Sequence, residues 1–301
     1  MAFLMHIGFD NSRRLQRRVY YFEYRGIRYK LIQNPSRKWC DVLLTIIPGK
    51  STQAHENLAY ATASEFLSAL SWANHSRVKV YPMGGVGVRE GFTLRRAKCR
   101  IRTFPRIPFC GYTIGADLSC IAQIDTDEQK EALALFREAA SSNNDHLSFL
   151  FFWQVLAVAG GDSAALVDKI WRKHRAEIVG TREDLFSNLN LNGKRLGEYL
   201  REDCRNAIAH IRRAPGKTKI VMGSLEDEQR ISISTYIVRQ FAMFYLQEKL
   251  RMCKQMYLLR RRGRGFPEYV PQDEPPRFGD KPAYTLPQRS LAQMMQKKPW
   301  H

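Results

Sequence analysis

The spacing of apolar residues changes near Asp125, and that change constrains the fold more than any single motif does. Before it, apolar residues come in short runs of β-formers. Positions 19–47 are rich in Tyr, Phe, Ile, Val and Leu, with alternation through Tyr20-Tyr21-Phe22-Glu23-Tyr24 and a turn signal at Gly26, which predicts a hairpin. A further strand over 41–47 ends at Pro48-Gly49. A helix fits 54–73, with Leu58, Ala61, Phe66, Leu70 and Ala73 three to five residues apart. Short strands are expected at 78–81, 92–97, Phe104 and Ile121-Ala122. Gly84-Gly85-Val86-Gly87 lacks the Lys-Ser/Thr of a phosphate loop and the GxGxxG spacing, so it reads as a strand connection. Residues 14–122 therefore read as one mixed α+β domain.

After Asp125 the punctuation is that of helices. Asp125 or Thr126 caps a helix to Ala140. The run 147–159 is apolar nearly all round and stops at Gly160-Gly161, which predicts the most buried helix of a bundle. Asp162 or Ser163 opens a helix that ends at Gly180, with Leu166, Ile170 and Trp171 on its apolar side. Thr181 to Asp184 resembles a capping box. A helix over 194–213 is stopped by Pro215-Gly216. The last begins at Ser224, with Glu226, Asp227 and Glu228 in its first turn, and runs to Arg260-Arg261-Arg262, complementing the helix dipole at both ends. Residues 123–262 thus read as an up-and-down bundle of five helices, and the Pro-rich stretch 263–301 as a disordered tail.

Lys and Arg number 48 against 29 acids, a formal charge of +19. Such an excess favours polyanions through counterion release, and RNA is the expected partner. A basic surface that only confers solubility is the competing explanation. The six cysteines form no CxxC pair and have no His at zinc-finger spacing, which predicts reduced thiols and no metal or other cofactor. The opening MAFLMHIGF has no preceding basic residue and no A-x-A-like cleavage site, and no stretch approaches the ~18 apolar residues of a membrane helix. A cytoplasmic protein with no membrane contact is the expectation.

One constellation carries chemistry. Arg205-Asn206-Ala207-Ile208-Ala209-His210 places a guanidinium, an amide and an imidazole within two turns of the 194–213 helix. A fixed cation beside a group that exchanges a proton near pH 7 suits phosphodiester chemistry. At about 100° per residue Asn206 and His210 share a face, whereas Arg205 and His210 differ by roughly 140°, so two copies about a two-fold axis would complete a site more naturally than one. In that homodimer a His takes the proton of a ribose 2′-OH as it attacks the neighbouring phosphate, a second group protonates the leaving 5′-oxygen, and Arg205 stabilises the phosphoryl charge. Asn206 orients the imidazole or holds the phosphate. Arg212, Arg213, Arg260, Arg261 and Arg262 are the expected backbone contacts to RNA. The same Arg and His also arise simply because cations favour a helix C-terminus.

The motif, on the penultimate long helix of a basic helical half, resembles that of the HEPN superfamily, whose signature is Arg, four to six residues, then His, commonly with a polar residue after the Arg. Arg205, Asn206 and His210 fall on those positions. The resemblance implies a small helical bundle, often a dimeric metal-independent endoribonuclease, toxin or defence effector held by an antitoxin, and in other members a non-catalytic module that binds nucleotides or protein partners. The whole chain, with Glu56-Asn57-Leu58-Ala59-Tyr60 ahead of the Arg205 segment, also resembles bacterial MauJ-type proteins of methylamine utilisation. That likeness implies an association with amine oxidation and leaves the biochemistry open. His55, His146 and His174 have no H-E-x-x-H spacing, and no nucleophile elbow supports a Ser-His-Asp site.

Overall fold

The computed structural model of the chain describes residues 2–13, 15, 18–34, 40–48, 53–74, 76–97, 118, 120–158, 160–180, 182–187, 189, 191, 193–210, 220–221, 224–252, 256–260 and 268–271. An antiparallel sheet in the N-terminal part is followed by a helical region. The described chain divides into two compact units, one within Met1–Ser141 and Met252–Gln272, the other within Ser142–Arg251.

The first unit holds strands β1 (Ala2–Asn11), β2 (Val19–Tyr24), β3 (Ile27–Ile32), β4 (Asp41–Pro48), β5 (Val78–Val88), β6 (Cys120–Ala122), β7 (Met256–Arg260) and β8 (Glu268–Pro271), and helices α1 (Gln53–Ala73) and α2 (Asp127–Ser141). Their order in one sheet is β5-β1-β4-β3-β2-β8-β7-β6, antiparallel except where β2 meets β8. The β2–β3 hairpin turns at Arg25-Gly26, both at positive φ, as the Gly26 signal requires. β1 is the opening apolar run. It pairs with β4 and β5 and is buried from Leu4 to Asn11, so it shows none of the alternation that marks a half-exposed strand.

Phe66 of α1 stacks on Phe22 at 4.5 Å and meets Tyr24 edge-on at 5.7 Å, fixing the helix to the sheet. A separate apolar cluster joins Leu4, Val42 and Leu44 to Leu94 and Ala97. Buried Lys30 donates to the carbonyls of Ala97 (2.6 Å) and Arg95 (3.2 Å), which satisfies its ammonium inside that layer. The segment expected as a strand at 92–97 is instead a pair of tight turns, Arg96 N–H to Thr93 O and Ala97 N–H to Leu94 O.

Gly84 to Gly87, expected to connect strands, lie within β5. A Cβ on Gly85 would overlap the Phe3 ring and stand 2.7 Å from Leu4 O, so close strand approach accounts for that glycine. Leu58, placed on the apolar side of α1 by spacing, is 60% exposed, while Ala59, Ala63, Phe66, Leu67 and Leu70 are buried.

Expected to open the helical half, α2 instead packs within the first unit. Trp72 and Phe136 meet edge to face at 5.3 Å, and Arg137 donates to Ser64 O (2.9 Å) and to the hydroxyls of Ser64 and Ser68. Its start is a capping box: Gln129 N–H donates to Thr126 Oγ1, and Gln129 Oε1 accepts from Asp125 N–H.

The second unit comprises α3 (Asp145–Ala157), α4 (Ser163–Val179), α5 (Glu183–Ser187), α6 (Leu196–Tyr199), a π-helical turn over Leu200–Arg205, α7 (Asn206–Ala209), α8 (Leu225–Phe244) and a second π-helical turn over Tyr245–Lys249. Asn144, Asp162 and Ser224 cap α3, α4 and α8 through their side chains. α3 packs on α8, and Thr235 Oγ1 donates to Asp145 O. Contrary to the all-round apolar reading, α3 is amphipathic in place: Phe149, Phe152, Val155 and Leu156 are buried, whereas Leu147 is 50% exposed and Gln154 is exposed. Within α4, His174 breaks the helix at φ −132°, ψ 29°, and its ring lies 4.7 Å from Phe244.

The last helix does not reach Arg260. It ends in the second π turn, Arg251 follows at φ 55°, and the chain then supplies β7 and β8 to the first unit's sheet. Residues 256–260 read Met-Tyr-Leu-Leu-Arg, a composition that serves helix or strand, and their partners β6 and β8 decide the outcome. Of the stretch expected as a disordered tail, residues 268–271 are a strand, and the remainder lies outside the described residues. Among the described residues, no helix is long and apolar enough to cross a membrane.

Candidate functional site

The Arg205 segment is held by three neighbours. Gly197 sits so close to α4 that a Cβ would press into the Ala164 carbonyl, and its N–H donates to Asp168 Oδ1 at 2.8 Å. Lys194 grips both oxygens of buried Asp203 at 2.7 Å. Arg230 of α8 donates to Asp203 O at 2.8 Å and pairs with Asp227 at 2.7 Å. Burial pulls the Asp227 carboxyl upward, but the Val221 N–H and Arg230 outweigh it and leave the group below the usual carboxylate range. Cys204, fully buried, lies 3.4 Å from Ser234 Oγ, and burial pushes its thiol up to about 11. A thiol held protonated in this way is not a nucleophile.

These anchors accompany a helix that is wound locally with one extra residue per turn, the Asn206 N–H donating to Arg201 O. In such a turn residues four apart stay close to one face. Arg201 and Arg205 accordingly line the same cavity, of about 310 Å3, with Asn206 and Ala209 beside them and Leu150, Trp153, Gln154 and Ala157 of α3 opposite.

The polar side of the cavity is a relay. Asp162 accepts from Arg201 at 3.2 Å, Arg201 Nε donates to Glu202 Oε1 at 3.2 Å, Asn206 Nδ2 donates to the same oxygen at 3.1 Å, and Asn206 Oδ1 accepts from Arg205 at 2.8 Å. Arg205 pairs with no carboxylate among the described residues, and it is half-buried.

Sequence reasoning brought three residues together, and the structure keeps two of them. Arg205 and Asn206 line the cavity, whereas His210 is exposed and does not. The expected 194–213 helix ends at Ala209. His210 is its cap on extended backbone (φ −124°, ψ 106°), with its N–H on Asn206 O, so the shared face expected for Asn206 and His210 on an ideal helix does not extend to His210, while Arg205 and His210 stay apart as the angles imply. Asn206 spends both amide atoms on Glu202 and Arg205, and so is not poised to orient an imidazole.

Arg212, Arg213, Arg261 and Arg262 lie outside the described residues. Arg260 closes β7 opposite Glu268, in the other compact unit, rather than ending a helix. Arg201, Trp153 and Gln154 were missed as site residues. The i, i+4 spacing of Arg201 and Arg205 was the available signal. Among the described residues no group of three or more His, Cys, Asp or Glu stands where it could hold a metal ion.

Residues 132–247 match a protein-family model described as methylamine utilization protein MauJ. The MauJ-like stretch begins within α2, contains the whole cavity and ends in the second π turn. No curated protein and no solved structure matches the chain.

Proposed function

We propose that the helical unit is a MauJ-like accessory module of HEPN-like type that binds RNA without cutting it, with Arg205 contacting a phosphodiester at the mouth of the cavity. The observation that carries this reading is a half-buried guanidinium with no carboxylate partner among the described residues, at a cavity where Asn206 and Arg201 are both hydrogen-bonded to Glu202. The +19 formal charge supports a polyanionic partner. Cleavage by 2′-OH attack needs a base within reach of the phosphate held by Arg205, and within one copy His210 stands apart from the cavity.

The test is binding of single-stranded RNA across a salt series. Arg205→Met is expected to weaken binding about tenfold and to lower the slope of log affinity against log salt by about one. An unchanged affinity and slope would remove Arg205 from any nucleic-acid role.

A second reading is favoured by the exposure of His210. A second copy of the chain could bring that imidazole to the first copy's Arg205 and complete a metal-independent ribonuclease in a homodimer. It requires cleavage in EDTA that is lost in His210→Ala.

A further inference from the structure

The two cations that line the cavity are not equivalent. Asp162 and Glu202 each pair with Arg201, and the only cavity-lining cation with no acid on it among the described residues is Arg205. One unneutralised cation in the lining matches a ligand that carries one negative charge. The remaining lining is largely apolar: Leu150, Trp153, Ala157 and Ala209, with the Gln154 amide on the α3 wall. A cavity of about 310 Å3 with apolar walls and one anchoring charge is the pattern of a small-molecule site. A guanidinium with one nitrogen engaged by Asn206 still offers a planar pair of N–H donors, which matches the two oxygens of a carboxylate.

We infer that this cavity binds a small organic monocarboxylate, with its carboxylate on Arg205 and its aromatic or aliphatic body between Trp153, Leu150 and Ala209. Arg205 is also the residue assigned above to RNA, so the two ligands compete, and the carboxylate acts as a small-molecule regulator of RNA binding. Arg201, four residues before Arg205 and on the same face, holds Asp162 and Glu202, and Arg205 is left as the anchoring charge.

The experiment is calorimetric titration of the full chain with three probes on one scaffold: phenylacetate (monoanion), phenyl phosphate (dianion at pH 8) and 2-phenylethanol (neutral). Phenylacetate is expected to bind saturably, with the other two at least about tenfold weaker, in line with the loss of one charged hydrogen-bonded contact. Arg205→Met should abolish the preference for phenylacetate. Ala209→Phe, at an exposed cavity-wall position where folding is little affected, should block phenylacetate while keeping the charge. Both variants are checked by circular dichroism.

Binding of phenyl phosphate as tight as that of phenylacetate, or phenylacetate binding that is indifferent to both variants, would overturn the inference. So would absence of phenylacetate binding. A parallel titration with a ten-residue oligouridylate separates this claim from the RNA reading. RNA binding lost in Arg205→Met with no response to phenylacetate sinks the small-molecule site alone. Phenylacetate binding with no RNA binding sinks the RNA reading alone.

Discussion

Glu65 in the first unit and Arg205 in the second are charges placed in opposite ways. In the first, Glu65 of α1 is enclosed and fully engaged: the Tyr24 hydroxyl donates to it at 2.7 Å, Arg25 Nε at 2.5 Å, and Lys130 stands at 3.6 Å. Arg25 also reaches Ile124 O, so one carboxylate ties the hairpin, α1 and the approach to α2 together. In the second unit, Arg205 is half-buried, is held among the described residues by a neighbouring amide alone, and faces a cavity. A buried charge whose partners are all supplied by the chain serves architecture. A cation left with spare donors beside a cavity is a place for something else to bind.

Breaking the first arrangement should have the largest effect. Glu65→Ala leaves the Tyr24 hydroxyl and the Arg25 guanidinium without their acceptor and should cost about 3–5 kcal/mol by urea denaturation. Glu65→Gln keeps an oxygen for Tyr24 and should cost less. In the second unit the sharpest perturbation is steric rather than ionic. Gly197→Ala sets a methyl against the Ala164 backbone, which cannot move aside cheaply, and should cost about 1–3 kcal/mol while displacing the π turn and weakening ligand binding.

Titration should separate the acid and alkaline limbs of stability. The Cys204 thiol is raised in the folded state, so its contribution is complete below the ordinary thiol range and is lost as pH rises toward about 11. Cys204→Ala should flatten that alkaline fall in a series of melts. Asp227 is lowered in the folded state, so its contribution is present above the ordinary carboxylate range and is lost as pH falls through its folded value. Asp227→Asn should flatten the acid limb. The smallest effect is expected at Leu58, whose exposure predicts a change within about 0.5 kcal/mol for Leu58→Gln.

What was legible in the sequence was local. Alternation in Tyr20 to Tyr24 marked β2 and its hairpin, and polar caps at Thr126, Asp162 and Ser224 marked three helix starts, because each signal acts within a few residues. β1 and the β7–β8 pair were not legible, since a strand buried on both faces has no alternation and strand partners far along the chain leave no periodic trace. The candidate site was half legible for the same reason. Arg205 and Asn206 follow from the motif and Arg201 from its i, i+4 spacing, but the cavity wall on α3 and the early cap that takes His210 off the helix leave no local signal.

The central claim is that the Arg205 cavity binds RNA and that the chain does not cleave it. It is tested most directly by incubating labelled single-stranded RNA in EDTA with the wild-type chain, Arg205→Met and His210→Ala, reading bound and cut RNA on the same samples. The account predicts intact RNA throughout, binding weakened in Arg205→Met and unchanged in His210→Ala. Fragments ending in cyclic phosphates that appear with the wild-type chain and vanish in His210→Ala would contradict it and establish a nuclease.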